Sequence, residues 1–229
     1  MPLMLPLDVQ SLAMSLVNIE SPRGDEGDLA GAIEDALGGL AHLSVERVGT
    51  TVVARTEAGH ADRVIVSVRI DAPGRAEPAM AFVEMGKLFG PGASAAKGSA
   101  AVVLKAAAHG SYAHDVTFVF HGGALEETAE GAAIADASRA RFALVAEPTR
   151  SAVPSADLGD PLAASLVGLT DTAPGSLAAH SDAAVWARLG VRSAAFGPGD
   201  SALAGRDDEF VPTAELGQCE YVLRTWLTT

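Results

Sequence analysis

Val64-Ile65-Val66-Ser67-Val68-Arg69-Ile70-Asp71 is the stretch on which the fold turns. Apolar, mostly β-branched side chains fill it almost without alternation, the pattern of a strand buried in the middle of a sheet. Outward from it, the runs 116–120, 142–145 and 193–196 read as further strands. Helical periodicity separates them, with helices expected over 95–108, 126–137, 181–189 and 213–227. On the amino-terminal side, residues 8–19 place Val9, Leu12, Ala13, Leu16 and Val17 on one face behind Asp8, a natural N-cap. Residues 25–40 carry Leu29, Ile33, Leu37 and Leu40 at helical spacing, with Asp25 and Glu26 suiting the positive end of the dipole. The runs 43–48 and 51–55 flank Gly49-Thr50 as a hairpin. Alternation of this kind specifies an α/β domain with a central mixed, mostly parallel sheet and helices on both faces. The exception is 151–179, rich in small and polar residues. Its one apolar piece, 162–169, leaves a lid remnant, a partly disordered loop and an unrecognised strand as open readings.

The chain has 229 residues, 48% of them hydrophobic and 20% charged, enough for a sizeable core and unlike a disordered or disulfide-stapled chain. A formal charge of −13 argues against nucleic acid, whose binding depends on Lys and Arg neutralising phosphates. A basic membrane-surface helix and an apolar run of about 20 residues are both missing, so no membrane role or export signal is expected. The single Cys219 rules out an internal disulfide and a cage of thiolates around a metal. The expected compartment is the cytoplasm.

On a parallel sheet, ligands bind at the carboxyl ends of the strands. Four segments should meet there: 69–71, 92–98, 125–127 and 146–149. Ser94 with Lys97, or His180-Ser181-Asp182, would suit a serine hydrolase. Neither lies in a Gly-x-Ser-x-Gly elbow, and three adjacent side chains on one segment point in different directions. Gly90-Pro91-Gly92 lacks the spacing of a phosphate-binding loop, and Cys219 reads as a packed thiol in the last helix.

Read in order, several phrases carry a family likeness. They are 16–22 followed by Gly24-Asp25-Glu26, Gly86-Lys87-Leu88-Phe89-Gly90-Pro91-Gly92-Ala93-Ser94, Ala146-Glu147-Pro148-Thr149, Ser181-Asp182-Ala183 and Phe196-Gly197-Pro198-Gly199-Asp200. Together they resemble the di-zinc exopeptidase and deacylase family that includes succinyl-diaminopimelate desuccinylase, acetylornithine deacetylase and carboxypeptidase G2-like enzymes. The likeness covers most of the chain and implies that family's catalytic domain over 1–229. The lid domain that the family commonly inserts would be shortened to the connection 151–180.

Carried over residue by residue, the resemblance implies a dismantled metal centre. Arg69 stands at the first histidine ligand, Ala95 at the aspartate that bridges two zinc ions, and Gly205 at the final histidine. Asp71 and Glu147 survive, as the supporting aspartate and a terminal ligand. The family's pair of glutamates, base and ligand, corresponds either to Glu126-Glu127 or to Ala124-Leu125. Ala and Gly supply no donor to zinc, and Arg69 brings a permanent positive charge that Glu147 or Glu126 would be expected to pair with. The leading expectation is a non-catalytic pseudoenzyme without cofactor, acting in binding, scaffolding or regulation. Its partner would be another protein, a second copy or an active paralogue. Two alternatives stand beside it. One is a zinc-dependent amide hydrolase rebuilt from Asp71, Glu126 or Glu127, Glu147 and a relocated His121 or His180. The other is a metal-free binder receiving a small carboxylate on Arg69, Lys97 and Arg206.

Overall fold

The computed structural model describes residues 2–73, 80–123, 140–155, 157–170, 172, 175, 177 and 181–229. Along the chain come α1 (Val9–Val17), α2 (Gly27–Gly38), β1 (Ser44–Val48), β2 (Thr51–Arg55) and β3 (Arg63–Arg69). Then follow β4 (Phe82–Glu84), β5 (Lys87–Phe89), α3 (Gly98–Ala107), β6 (Asp115–His121) and β7 (Phe142–Ala146). The chain closes with α4 (Pro161–Gly168), α5 (Asp182–Arg188), β8 (Arg192–Ala195), β9 (Phe210–Pro212) and α6 (Thr213–Thr228).

The main sheet has the order β1-β2-β6-β3-β7-β8. Strands β6, β3, β7 and β8 are mutually parallel, and the antiparallel hairpin β1-β2 forms one edge. Strand β3 therefore lies between two parallel neighbours, as its apolar run requires, and Val64 to Val68 are all buried. Its two faces serve two core layers. Val64, Val66 and Val68 join the large core that includes Leu12 and Leu16 of α1, Ile33 of α2, Leu104 of α3 and Leu223 of α6. Ile65 faces the smaller layer with Val185 and Trp186 of α5. Ser67, the one polar residue inside the run, accepts a hydrogen bond from Trp186 Nε1 at 3.0 Å, so its hydroxyl is satisfied in the core. Register puts Arg69 opposite His121 and Val68 opposite Ala146, so the carboxyl ends of the strands finish at one level.

Local signals account for most boundaries. Asp8 caps α1 by accepting from Ser11 N at 3.0 Å. The helix expected from residue 95 starts differently. A π-helical turn, Ala93–Lys97, leads into α3 at Gly98. Gly92 precedes it at φ +78°, where a Cβ would lie 2.7 Å from that of Ala72, so only glycine fits. The apolar piece at 162–169 is helix α4, not a strand or loop. Asp160 accepts from Leu162 N at 2.8 Å and Pro161 occupies the first turn, a start signal that the low polarity of the segment obscured. Trp226 Nε1 holds α4 to α6 through Leu162 O at 3.0 Å. A second sheet, β4-β5-β9, was not expected, because its strands are too short to show periodicity. The helix expected at 126–137 lies outside the described residues. Among the described residues, no helix is long and apolar enough to cross a membrane.

At the opposite end of β6 from the strand carboxyl ends, Asp115 organises the turn after β2. It accepts from Thr56 Oγ1 at 3.0 Å, Ala58 N at 2.8 Å, Gly59 N at 3.1 Å and His60 N at 3.0 Å. Burial alone would raise its pKa, but the bonds from Ala58, Thr56 and His60 outweigh it and hold the carboxyl below its ordinary value. A depressed carboxylate adds stability that is present above its unfolded pKa and fades as pH falls through the folded one. Asp115→Ala should therefore cost about 2–3 kcal/mol in urea unfolding at neutral pH, and clearly less near about pH 3.

Candidate functional site

The aligned strand ends open into a cavity of about 590 Å³ whose lining includes Arg23, Arg69, Asp71, Glu147, Ser181 and Asp182. Three of the four expected segments thus meet there, 69–71, 146–149 and, through Ala95, 92–98. Glu126 and Glu127 lie outside the described residues, as do His180 and the alternative pair Ala124-Leu125.

Arg69 ends β3, and Asp71 follows two positions later in extended chain, so their side chains emerge on one face. The guanidinium grips the carboxylate in a fork, Nε to Oδ1 at 2.8 Å and Nη2 to Oδ2 at 2.6 Å. Arg23 Nε lies 3.5 Å from the same Oδ2. Burial would raise the pKa of Asp71, but the Arg69 bonds and charge, with Arg23 behind them, more than offset it and lower it. The pair with Asp71, the neighbour along the strand, was not expected; of the two expected partners, Glu126 lies outside the described residues. Glu147 accepts from Ser181 Oγ at 2.5 Å, and that hydroxyl also caps α5 by accepting from Ala183 N at 3.1 Å. Ser181 is thereby committed to structure rather than to nucleophilic attack.

Asp182 lines the cavity, and His121 is buried against it. His121 is 1% exposed and its Nδ1 is 3.1 Å from Gly123 O, an acceptor, which fixes the ring proton on Nδ1. Nε2 then faces Asp182 Oδ2 at 3.8 Å, too far for a hydrogen bond. Burial holds the imidazole pKa below its ordinary value, although Asp182 and the Gly123 carbonyl pull the other way.

Two residues expected to receive a carboxylate are placed elsewhere. Lys97 is buried under the turn, its Nζ donating to Ile19 O at 2.6 Å, and burial lowers its pKa to about 8 against the pull of Glu209 and Glu20. Arg206 is exposed and forked onto Asp208, with Nε to Oδ1 at 2.8 Å. Neither is among the residues lining the cavity. Arg23 and Asp182 line it in their stead.

Sequence reasoning also missed Glu209, 1% exposed. Its carboxylate accepts from Ser94 N at 2.9 Å, Ala95 N at 2.8 Å, Gly92 N at 3.1 Å and Gly205 N at 3.2 Å. It thus ties the turn bearing Ala95 to the loop bearing Gly205. No local pattern announces such a residue, since three of its four partners are more than a hundred positions away. Gly205 itself sits at φ +75°, with Pro73 Cγ 3.1 Å from where a Cβ would be. Ser94 Oγ is occupied by the Asp200 backbone, donating to its O at 3.0 Å and accepting from its N at 2.8 Å. Burial pushes the Cys219 thiol up to about 12, which leaves it unreactive. Replacing Arg69 by Met leaves buried Asp71 with Arg23 alone, and chemical denaturation should register a loss of about 3 kcal/mol. Arg69→Lys, which keeps charge but not the fork, should recover only part of it.

No family model matches the chain. Succinyl-diaminopimelate desuccinylase from Corynebacterium glutamicum is 37% identical over 114 residues, 47% of this chain and 31% of that enzyme, so the match spans about a third of the relative's length. Among solved structures, a tripeptidase from Staphylococcus aureus superposes with a TM-score of 0.76 at 11% identity, over 96% of each chain. Aminopeptidase PepT from Bacillus cereus gives a TM-score of 0.71 at 10% identity, over 96% of this chain and 97% of its own. At such identities the structures establish the fold, while the desuccinylase supplies the sequence relationship. The fold is thus that of the peptidase domains, and over 114 residues the sequence is similar to succinyl-diaminopimelate desuccinylase.

Proposed function

We propose that the chain is a non-catalytic relative of the zinc hydrolases, one that keeps the cavity at the strand ends for binding and holds no zinc there. The observation that carries this reading is the Arg69–Asp71 fork. A guanidinium that cannot lose its proton stands where the resemblance places a metal ligand, and it engages both oxygens of Asp71.

Among the described residues the donor set does not fit zinc, which takes three or four N, O or S ligands. Ala95 and Gly205 bring none. Both oxygens of Asp71 are bonded to Arg69, and Glu147 Oε1 to Ser181. Among the described residues, no group of three His, Cys, Asp or Glu side chains is placed to hold a metal ion. What the chain's own residues supply is a pocket of ordinary ligand-binding size with fixed charges of both signs. In the same reading the connection 151–180, with α4 inside it, stands where relatives insert a lid. The cavity rim is then open to a protein partner, a second copy or an active paralogue.

Elemental analysis after incubation with zinc should find far less than one ion per chain, and succinylated and acylated amino acids should not be hydrolysed. One or two zinc ions per chain with turnover would establish the competing reading, an amide hydrolase with a rebuilt site.

A further inference from the structure

The amino-terminal arm that precedes α1 forms one wall of a second cavity, whose chemistry differs from that at the strand ends. Its volume is about 520 Å³, the scale of a small molecule, and the two cavities share no lining residue. Leu3 and Leu5 of the arm, Leu40 after α2 and Ala108 after α3 give it apolar walls. Lys105 of α3 and Arg224 of α6 also line it, and among the described lining residues there is no carboxylate. In a chain of net charge −13, a cavity with two cations and no acid runs against the composition.

The donors on those two cations are only partly used. Lys105 Nζ donates to Leu5 O at 2.9 Å and Leu7 O at 2.8 Å. Both are neutral oxygens, which hold the arm in place but leave one N–H of the ammonium over and its charge unbalanced. Arg224 donates to Glu220 Oε1 and to His109 Nδ1, each at 3.3 Å, beyond the usual hydrogen-bond range. Its Nε is buried with no hydrogen-bond partner, an unfavourable state for a charged donor. Since Glu220 balances Arg224, one positive charge remains in the lining, that of Lys105. An anionic acceptor would satisfy the open donors, and a hydrocarbon chain attached to it would leave water for the leucine walls.

We propose that this cavity binds one small aliphatic carboxylate, its head received by Arg224 and Lys105 and its chain by Leu3, Leu5 and Leu40. A single carboxylate matches the single unbalanced charge. The inference is independent of the reading of the strand-end cavity and holds whether or not zinc enters there.

Calorimetric titration with octanoate, kept below its micelle concentration, tests it against butyrate, octanol and octylammonium. Octanoate should bind saturably at one per chain. Each of the others should bind at least tenfold more weakly, because butyrate lacks chain length, octanol the charge and octylammonium its sign. Arg224→Gln should weaken octanoate at least tenfold. Gly39 also lines the cavity, at an ordinary φ of −76°, and a Cβ there would meet only Ala36 O at 3.8 Å. Gly39→Phe should therefore fold with a melting temperature close to that of the parent and lose octanoate binding by filling the space. Failure of octanoate to bind, or equally tight binding of octanol or octylammonium, would overturn the inference. Octanoate binding that is unchanged in both variants would place the ligand elsewhere and overturn it as well.

Discussion

The carboxylate of Glu209 gathers backbone amides from two separate loops, the turn at 92–95 and the segment at 205, and nearly everything around the cavity depends on that gathering. The amides at the start of a helical segment lack intrahelical acceptors, so a buried anion there is stabilised by the peptide dipoles and satisfies them in return. Lys97, buried nearby and bonded to Ile19 O, contributes the balancing charge and carries the same turn toward α1. The two loops therefore keep their relative placement through hydrogen bonds made by the chain itself. In a metal enzyme, ligand bonds to the ion commonly share that duty.

This division of labour explains how the strand ends can hold a guanidinium. Arg69 lies in register with His121, inside a row of buried strand termini, where a lone cation would be costly. Asp71 two residues further along the same face neutralises it, and Arg23 adds a second contact to that carboxylate from outside the sheet. Charge is balanced within a few residues of chain, leaving Glu147 and Asp182 to shape the other side of the cavity.

Much of the architecture was legible from residue pattern alone, because burial on both faces leaves a signature as plain as that of 64–68, and helices such as 8–19 announce themselves through an apolar stripe and a capping aspartate. What escaped was short or long-range. Strands of three residues, β4, β5 and β9, have too few positions to display a period. The start of α4 rests on the pair Asp160-Pro161 in a stretch whose composition suggested a loop. Of the positions the resemblance singled out, Arg69, Asp71, Ala95 and Glu147 line one cavity, Gly205 is not among its lining residues, and the glutamate pair lies outside the described residues. Its limits were those of chemistry that depends on approach in space. The fork of Arg69 onto Asp71, the burial of Lys97 and the grip of Glu209 on distant amides are decided by packing.

The backbone at Gly205 limits what the loop beside the cavity can carry. With φ at +75° and Pro73 Cγ 3.1 Å from a notional Cβ, the position would take a side chain such as histidine only at a cost of about 1 kcal/mol or more. Removing Arg69 would likewise cost the fold, because Asp71 is held by its fork. Rebuilding the site would therefore take concerted changes: a donor installed at either position alone would first have to outweigh the stability it removes.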